Sequence, residues 1–212
     1  MSPLLQTIGW LEHGFGTSSA SPIQVGEMAA SLVQIHSALV HPVCKPDERQ
    51  AEGDGLLTTT PNLWVSIRTA DCLPILIADR KLKVVAAVHA GWKGTVQQIA
   101  RNAVTRLVEE CGSNPEDLLA AIGPGISECC FEVGPEVAIQ FDPAFLRSGQ
   151  GGKPFVNLKQ ANVSQLHSAG LCLDHIDVAV ECSVSTPGFH SFRRDKTDGR
   201  MVSAIRIIKG AD

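Results

Sequence analysis

Between residues 63 and 89 the chain runs three short apolar stretches, 63–69, 73–78 and 84–89, rich in Val, Ile and Leu. They are separated only by the region of Asp71 and by the polar turn DRKLK, and they read as buried strands. The second opens in TADCLPILIAD (69–79) and the third ends in HAGWKG (89–94), so a cysteine stands at the mouth of one strand and a histidine at the end of the next. If the two strands pair as a hairpin through DRKLK, their far ends meet and bring Cys72 to His89. A sheet position is filled more cheaply by Val or Leu, which carry no polar atom to satisfy. The bland alternative is a structural role, since free cysteine is among the most buried residue types. The shared strand-end location, flanked by Asp71, Gly91 and Gly94, sets a functional site beside that structural role as an equal alternative.

After HAGWKG, apolar residues recur at Val96, Ile99, Ala100, Ala103, Val104, Leu107, Val108 and Cys111, the three-and-four spacing of one helix face. Gly112 and Pro115 predict its end. LLAAIG (118–123) reads as a strand, GPGISECCFEVGPEV as a punctuated loop entering a short helix, and 158–169 as a second long helix. IDVAVECSV and MVSAIRII are the late strands. LVQIHSALV alternates like a strand, with Gln34 and His36 on one face. Adjacent strands able to form hairpins, mixed with strand–helix–strand units, favour α+β over a doubly wound sheet. The absence of a composition shift or linker-like run over 212 residues predicts a single domain, 1–212.

Several function classes drop out. Eighteen Lys plus Arg against 22 Asp plus Glu, a formal charge of −4, provide no global field for a nucleic-acid polymer, so a small-molecule partner is expected. Runs such as LPILIA are too short to span a membrane, and MSPLLQTIGWLEHG does not read as a signal peptide. Seven cysteines without a C-x-x-C pair indicate neither a disulfide framework nor a zinc ribbon. Reduced thiols and a cytoplasmic location are the expectation. GPGISE lacks the third glycine of a dinucleotide fingerprint, and P-loop, H-E-x-x-H and G-x-S-x-G motifs are absent. What remains is Cys72 with His89, which suits either a cysteine nucleophile activated by histidine or a metal held by thiolate and imidazole. A third ligand would separate the two, and His36 is one of seven histidines available for that role.

TADCLPIL, AAVHAGWKGT, IGPGISECCFEVG and FHSFRRDKTDGRM, in that order, closely resemble the YfiH-like family, also called the multicopper polyphenol oxidoreductase or laccase-domain family, from about residue 54 to 208. The resemblance implies an α+β fold like that of a cytotoxic deamidase, with a barrel-like mixed sheet flanked by helices. It implies a purine nucleoside phosphorylase with adenosine deaminase activity; some bacterial members are described as peptidoglycan-editing factors. It also implies the metal ligands His36, Cys72 and His89. The chain departs from the family's pattern at its N-terminal end. Ser18 stands where the family usually carries arginine, the stretch from about 17 to 34 is shortened, and QIHS replaces the usual Q-x-H-G, which leaves His41 and His13 as substitutes for His36.

A Cys and two His leave one tetrahedral position open, as in catalytic zinc sites. An activated water there suits attack at C6 of adenosine. Phosphorolysis needs in addition an anion site, which Lys93 and the backbone of AGWKGT at a helix start are expected to supply. Arg193 and Arg194 are the second candidate, with ion pairing to Asp195 and Asp198 as their alternative role. Asp71 is expected to orient His89 or accept a proton, or simply to form a turn. Cys129 and Cys130 are read as structural, because neighbouring side chains diverge in extended backbone. Copper is the lesser metal choice: there is no His-x-His pair, and only Met28 and Met201 could be an axial ligand. The expected function is therefore a zinc-dependent enzyme converting adenosine to adenine and ribose 1-phosphate, or to inosine. The alternatives are a cysteine hydrolase using Cys72 and His89, and a copper-dependent polyphenol oxidase.

Overall fold

The computed structural model describes residues 1–24, 26–46, 51–149 and 152–208. In chain order its strands are β1 (Leu11–Phe15), β2 (Ala29–Ala30), β3 (Val40–Pro42), β4 (Gly55–Thr58), β5 (Trp64–Thr69), β6 (Leu73–Asp79), β7 (Val84–Ala90) and β8 (Leu118–Ile122), followed by β9 (Leu146–Arg147), β10 (Phe155–Val156), β11 (Ile176–Val178) and β12 (Met201–Ile207). The helices are α1 (Trp92–Val96), α2 (Ile99–Cys111), α3 (Pro135–Ala138), α4 (Leu158–Ser168) and α5 (Phe192–Asp195). A six-stranded sheet has the order β11-β8-β6-β7-β4-β3, and a four-stranded sheet the order β1-β12-β5-β2. β9 and β10 form a separate small pair.

The larger sheet is the middle layer of three, which is why its strands are apolar without interruption. Leu73, Ile75 and Ile77 of β6, with Val84, Ala86, Val88 and Ala90 of β7, pack with Ile99, Ala103 and Leu107 of α2 and Leu158 and Leu166 of α4. The alternate residues, Leu76, Ala78, Val85 and Ala87, pack instead against Val65, Ile67, Ile205 and Ile207 of the smaller sheet. Two buried faces fix the register, because a one-residue slip would exchange both side-chain sets at once. In that register Leu73 opposes Ala90 and Pro74 opposes His89. The hairpin thus closes as its turn length predicts, and the sheet itself delivers Cys72 and His89 to one end.

Four sequence readings need correction. The sheets are open rather than closed into a barrel; stacking one on the other buries the faces that closure would otherwise protect. The run LVQIHSALV is not a strand: only Val40 at its end is in β3, and Val33 makes an isolated bridge to Glu52. His36 sits at φ 59°, in the left-handed region that breaks extended backbone. The long helix after HAGWKG is two helices, because Gln98 at φ 66° interrupts it between α1 and α2. Gly112, at φ 72°, ends α2 in the left-handed conformation that glycine adopts without strain. Finally, the strand in IDVAVECSV stops at Val178, and Cys182 makes only an isolated bridge to Gly125. Among the described residues no helix is long and apolar enough to cross a membrane.

Candidate metal and catalytic site

Cys72 lies immediately before β6, His89 near the end of β7, and His36 in the loop between β2 and β3. One ligand atom from each lies within 4.8 Å of the other two. The Cys72 Sγ is 3.9 Å from the His36 Nε2, and the two imidazole rings meet edge to face with centroids 4.9 Å apart. His89 is buried, Cys72 half-buried and His36 exposed.

A carboxylate that the sequence reading passed over organises this group. Asp54, just before β4 and fully buried, accepts the His89 Nδ1 proton at 2.7 Å. The same carboxylate accepts the backbone N–H groups of Ile35 (3.3 Å), His36 (3.0 Å) and Ser37 (2.6 Å), and the Ser37 hydroxyl (2.7 Å). Three successive N–H groups converging on one anion hold the loop in a conformation that a non-glycine residue at positive φ otherwise disfavours. Asp54 therefore sets the ring of one candidate ligand and the backbone of another. Burial alone would raise its pKa, but the hydrogen bonds from His89 and Ser37 outweigh burial and bring it to about 2. His89 is shifted the opposite way: burial lowers it, yet Asp54 and Cys72 overcome that and raise it to about 9. Burial likewise raises the Cys72 thiol, and the two imidazoles overcome it and bring the thiol to about 6. Without a metal, these opposite shifts favour a thiolate at Cys72 beside an imidazolium at His89.

Two further residues explain the local sequence. Gln34 pins the His36 loop to the end of β5: its amide donates to the Arg68 carbonyl at 2.8 Å and accepts the Arg68 N–H at 2.7 Å. At Gly91 a Cβ would lie 3.0 Å from both the Cys72 Sγ and the His36 Cδ2, so the glycine of HAG is space reserved for two candidate ligands.

The group lies in the wall of a cavity of about 780 Å³, within the range of small-molecule sites. Trp92, Phe131 and Phe192 give it aromatic surface, and Arg68, Arg193, Lys196 and Arg200 give it positive charge, opposed by Asp198 and Asp71. Arg193 is held at the rim, its Nη1 donating to the carbonyls of Glu132 (2.9 Å) and Cys130 (3.4 Å).

Other residues named from sequence sit differently. Asp71 does not orient His89. Its carboxylate accepts the Ser183 hydroxyl at 2.7 Å and the Arg193 N–H at 2.6 Å, bracing the loops of the opposite wall. Lys93 is not among the cavity-lining residues, its Nζ lies 5.7 Å from the Trp92 ring centroid, and α1 has only five residues. Arg194 is engaged by both Asp195 carboxylate oxygens at 2.7 Å and by three backbone carbonyls. His41 bonds the Glu52 carbonyl at 3.0 Å, and His13 accepts the Ser2 N–H at 2.9 Å; neither joins the group. Cys129 and Cys130 do not diverge: they lie in a turn, with their sulfurs 3.3 Å apart.

Asp54, Arg68, Lys196 and Arg200 are the site residues that sequence reasoning missed. A lone Asp between glycines in EGDGLL offers only a weak cue, whereas Lys196 and Arg200 fall inside FHSFRRDKTDGRM.

Comparison with known proteins places the chain in a family. The family described as multi-copper polyphenol oxidoreductase laccase matches residues 18–208. A purine nucleoside phosphorylase of Deinococcus radiodurans is 42% identical over 160 residues, 74% of this chain and 62% of that protein. One from Aquifex aeolicus is 34% identical over 178 residues, 83% of this chain and 81% of its own. For several relatives, including the Deinococcus protein, the matched region spans only about 60% of their length. Among solved structures, YlmD from Geobacillus stearothermophilus superposes with a TM-score of 0.87 at 27% identity, covering 98% of this chain and 94% of its own. The YfiH protein of Bacillus licheniformis gives 0.84 at 26% identity, covering 93% and 92%.

Proposed function

The chain belongs to the multi-copper polyphenol oxidoreductase laccase family, the YfiH-like family, and from that premise we propose that it is a zinc-dependent enzyme of purine nucleosides, converting adenosine to adenine and ribose 1-phosphate with phosphate, or to inosine with water. Relatives named purine nucleoside phosphorylase support an enzyme of that general kind. The observation that carries the finer reading is the juxtaposition of His36, Cys72 and His89 on a cavity with aromatic and cationic walls.

The donor set fits zinc. Two imidazoles and one thiolate are borderline-soft ligands that leave a fourth position open. Asp54 binds the Nδ1 of His89, so its Nε2 is the nitrogen free to ligate, an arrangement common behind metal-bound histidines. Among the described residues no methionine lines the cavity, so the usual weak axial ligand of a His2Cys copper centre is missing there. When bound, zinc supplies a Lewis acid with room for one exchangeable ligand.

The chain's own residues do the rest. Trp92, Phe131 and Phe192 offer flat apolar surface to a purine. Arg68, Arg193 and Arg200 replace Lys93 as the phosphate-binding groups, since they face the cavity and Lys93 does not. Fixed guanidinium groups stabilise the charge of phosphate as it attacks the ribose anomeric carbon. Asp71 acts as a positioning residue: it fixes Arg193 through its backbone. The partners are a nucleoside and phosphate, with neither a nucleic-acid polymer nor a membrane involved, and the location is cytoplasmic.

Chromatography of adenosine incubated with the protein tests this. Inosine is expected without phosphate and adenine with it, both lost on chelation. Substituting Arg68 or Arg200 should weaken adenine formation more than Lys93→Ala does. If neither product forms with zinc-replete protein, the nucleoside reading fails. A second reading is favoured by the Cys72 thiolate and His89 imidazolium, which resemble an activated cysteine nucleophile. A cysteine hydrolase would survive chelation and be abolished by thiol alkylation.

A further inference from the structure

A second group of three close ligand atoms shares no residue with the first. Cys129 and Cys130 occupy the turn after β8, and Cys182 belongs to the segment after β11 that bridges to Gly125. The three sulfurs lie within 4.8 Å of one another, with Cys182 buried, Cys130 half-buried and Cys129 exposed. The backbone holds them there: the Ser127 N–H donates to the Cys182 Sγ at 3.4 Å, and the Ser183 N–H to the Gly125 carbonyl at 3.0 Å.

The surroundings suit a charged sulfur cluster. The Lys159 ammonium is fixed by the carbonyls of Ala179 (2.6 Å) and Glu181 (2.8 Å), on the segment that leads to Cys182. The Ser127 hydroxyl, buried beside the same turn, has no hydrogen-bond partner among the described residues.

We propose that Cys129, Cys130 and Cys182 form a second metal site, which takes a single soft monovalent cation, Cu(I), through three sulfurs. The contrast with the first group is one of donor chemistry. Two imidazoles with one thiolate suit zinc, whereas three thiolates with no imidazole or carboxylate in the group suit Cu(I). A structural zinc site is normally closed by four protein ligands, and among the described residues this group has three. On binding, each remaining S–H loses its proton to solvent as a Cu–S bond forms, with no change in oxidation state. The ion would tie the 128–130 turn to the Cys182 segment. Both support the cavity wall, through the Cys130 carbonyl that Arg193 bonds and the Ser183 hydroxyl that Asp71 accepts.

The test uses the full chain, reduced and metal-stripped, titrated with Cu(I) without oxygen against a chromogenic Cu(I) chelator. Wild type is compared with Cys72→Ser, Cys129→Ser and Cys130→Ser, each checked for folding by circular dichroism. Cys72→Ser should retain one equivalent of Cu(I), with sulfur-only coordination by X-ray absorption. In Cys129→Ser and Cys130→Ser the affinity of that equivalent should fall by more than about 100-fold, the upper end of the loss from removing an outer partner of a ligand. If Cys130→Ser does not fold, the exposed Cys129 decides alone. Unchanged affinity in Cys129→Ser, loss of all Cu(I) in Cys72→Ser, or stoichiometric displacement of the retained Cu(I) by zinc would each overturn the proposal.

Discussion

The two sides of the His36–Cys72–His89 group are built by opposite means. Cys72 and His89 sit at the end of a hairpin whose strands are buried on both faces, and the register of the whole sheet sets their separation. His36 rides on an exposed loop with a strained backbone, held by one distant carboxylate, Asp54, and by the Gln34 side chain on the Arg68 backbone. The lesson is that redundancy differs across a single site. Many residues would have to fail before Cys72 and His89 separate, whereas the loss of Asp54 alone frees three N–H groups of the His36 loop, which then hangs on Gln34, and leaves the His89 ring without its orienting partner.

The strongest way to break this contrast is to remove the ligands themselves. His36→Ala, Cys72→Ser and His89→Ala should each abolish zinc retention and nucleoside turnover, while His41→Ala and His13→Ala retain both; metal analysis beside product chromatography checks this. Zinc retained in His36→Ala would mean that the loop is not part of the site.

Asp54→Ala comes next. It leaves the His89 Nδ1–H and three loop N–H groups without their acceptor, a loss of about 3–5 kcal/mol in stability by analogy with broken buried pairs. Zinc affinity should also fall by roughly 10- to 100-fold. Denaturant melts and zinc titration read the two effects. An unchanged affinity would show that the sheet alone suffices.

Gly91→Ala should have a smaller effect, because the new methyl displaces the Cys72 sulfur and the His36 ring by a few tenths of an ångström while the fold persists. Lower zinc affinity with a nearly unchanged melting temperature is the expected pattern. A full loss of folding would contradict it.

The smallest effect is on pH dependence, in chelated protein. Asp54 has its pKa lowered from 3.8 to about 2, so its contribution to stability is complete above pH 3.8 and disappears as pH falls through about 2. His89 has its pKa raised from 6.5 to about 9, so its contribution is complete below pH 6.5 and is lost as pH rises through about 9. Asp54→Asn should flatten both limbs of a melting-temperature profile, and a profile identical to wild type would count against the pairing.

The same contrast governs what the sequence made legible. Cys72 meeting His89 followed from apolar runs, a short turn and strand pairing, all local quantities. The place of His36 came only from resemblance to a family, because alternation in LVQIHSALV mimics a strand, while the backbone that overrides it depends on a carboxylate 18 residues further along. Apolar spacing continues from Val96 to Ile99, so nothing in it marks the break at Gln98. Cys129 and Cys130 were misread for a related reason: they lie in a turn, where neighbouring side chains converge. Arg68 and Arg200 become visible as cavity residues only once the smaller sheet and the segment after α5 are brought together.

Elemental analysis of the freshly purified chain and its ligand variants tests the central claim most directly. About one zinc per chain is expected at the open three-ligand site, falling to background in His36→Ala, Cys72→Ser and His89→Ala. Stoichiometric copper in place of zinc, or zinc content unchanged in both Cys72→Ser and His89→Ala, would contradict it.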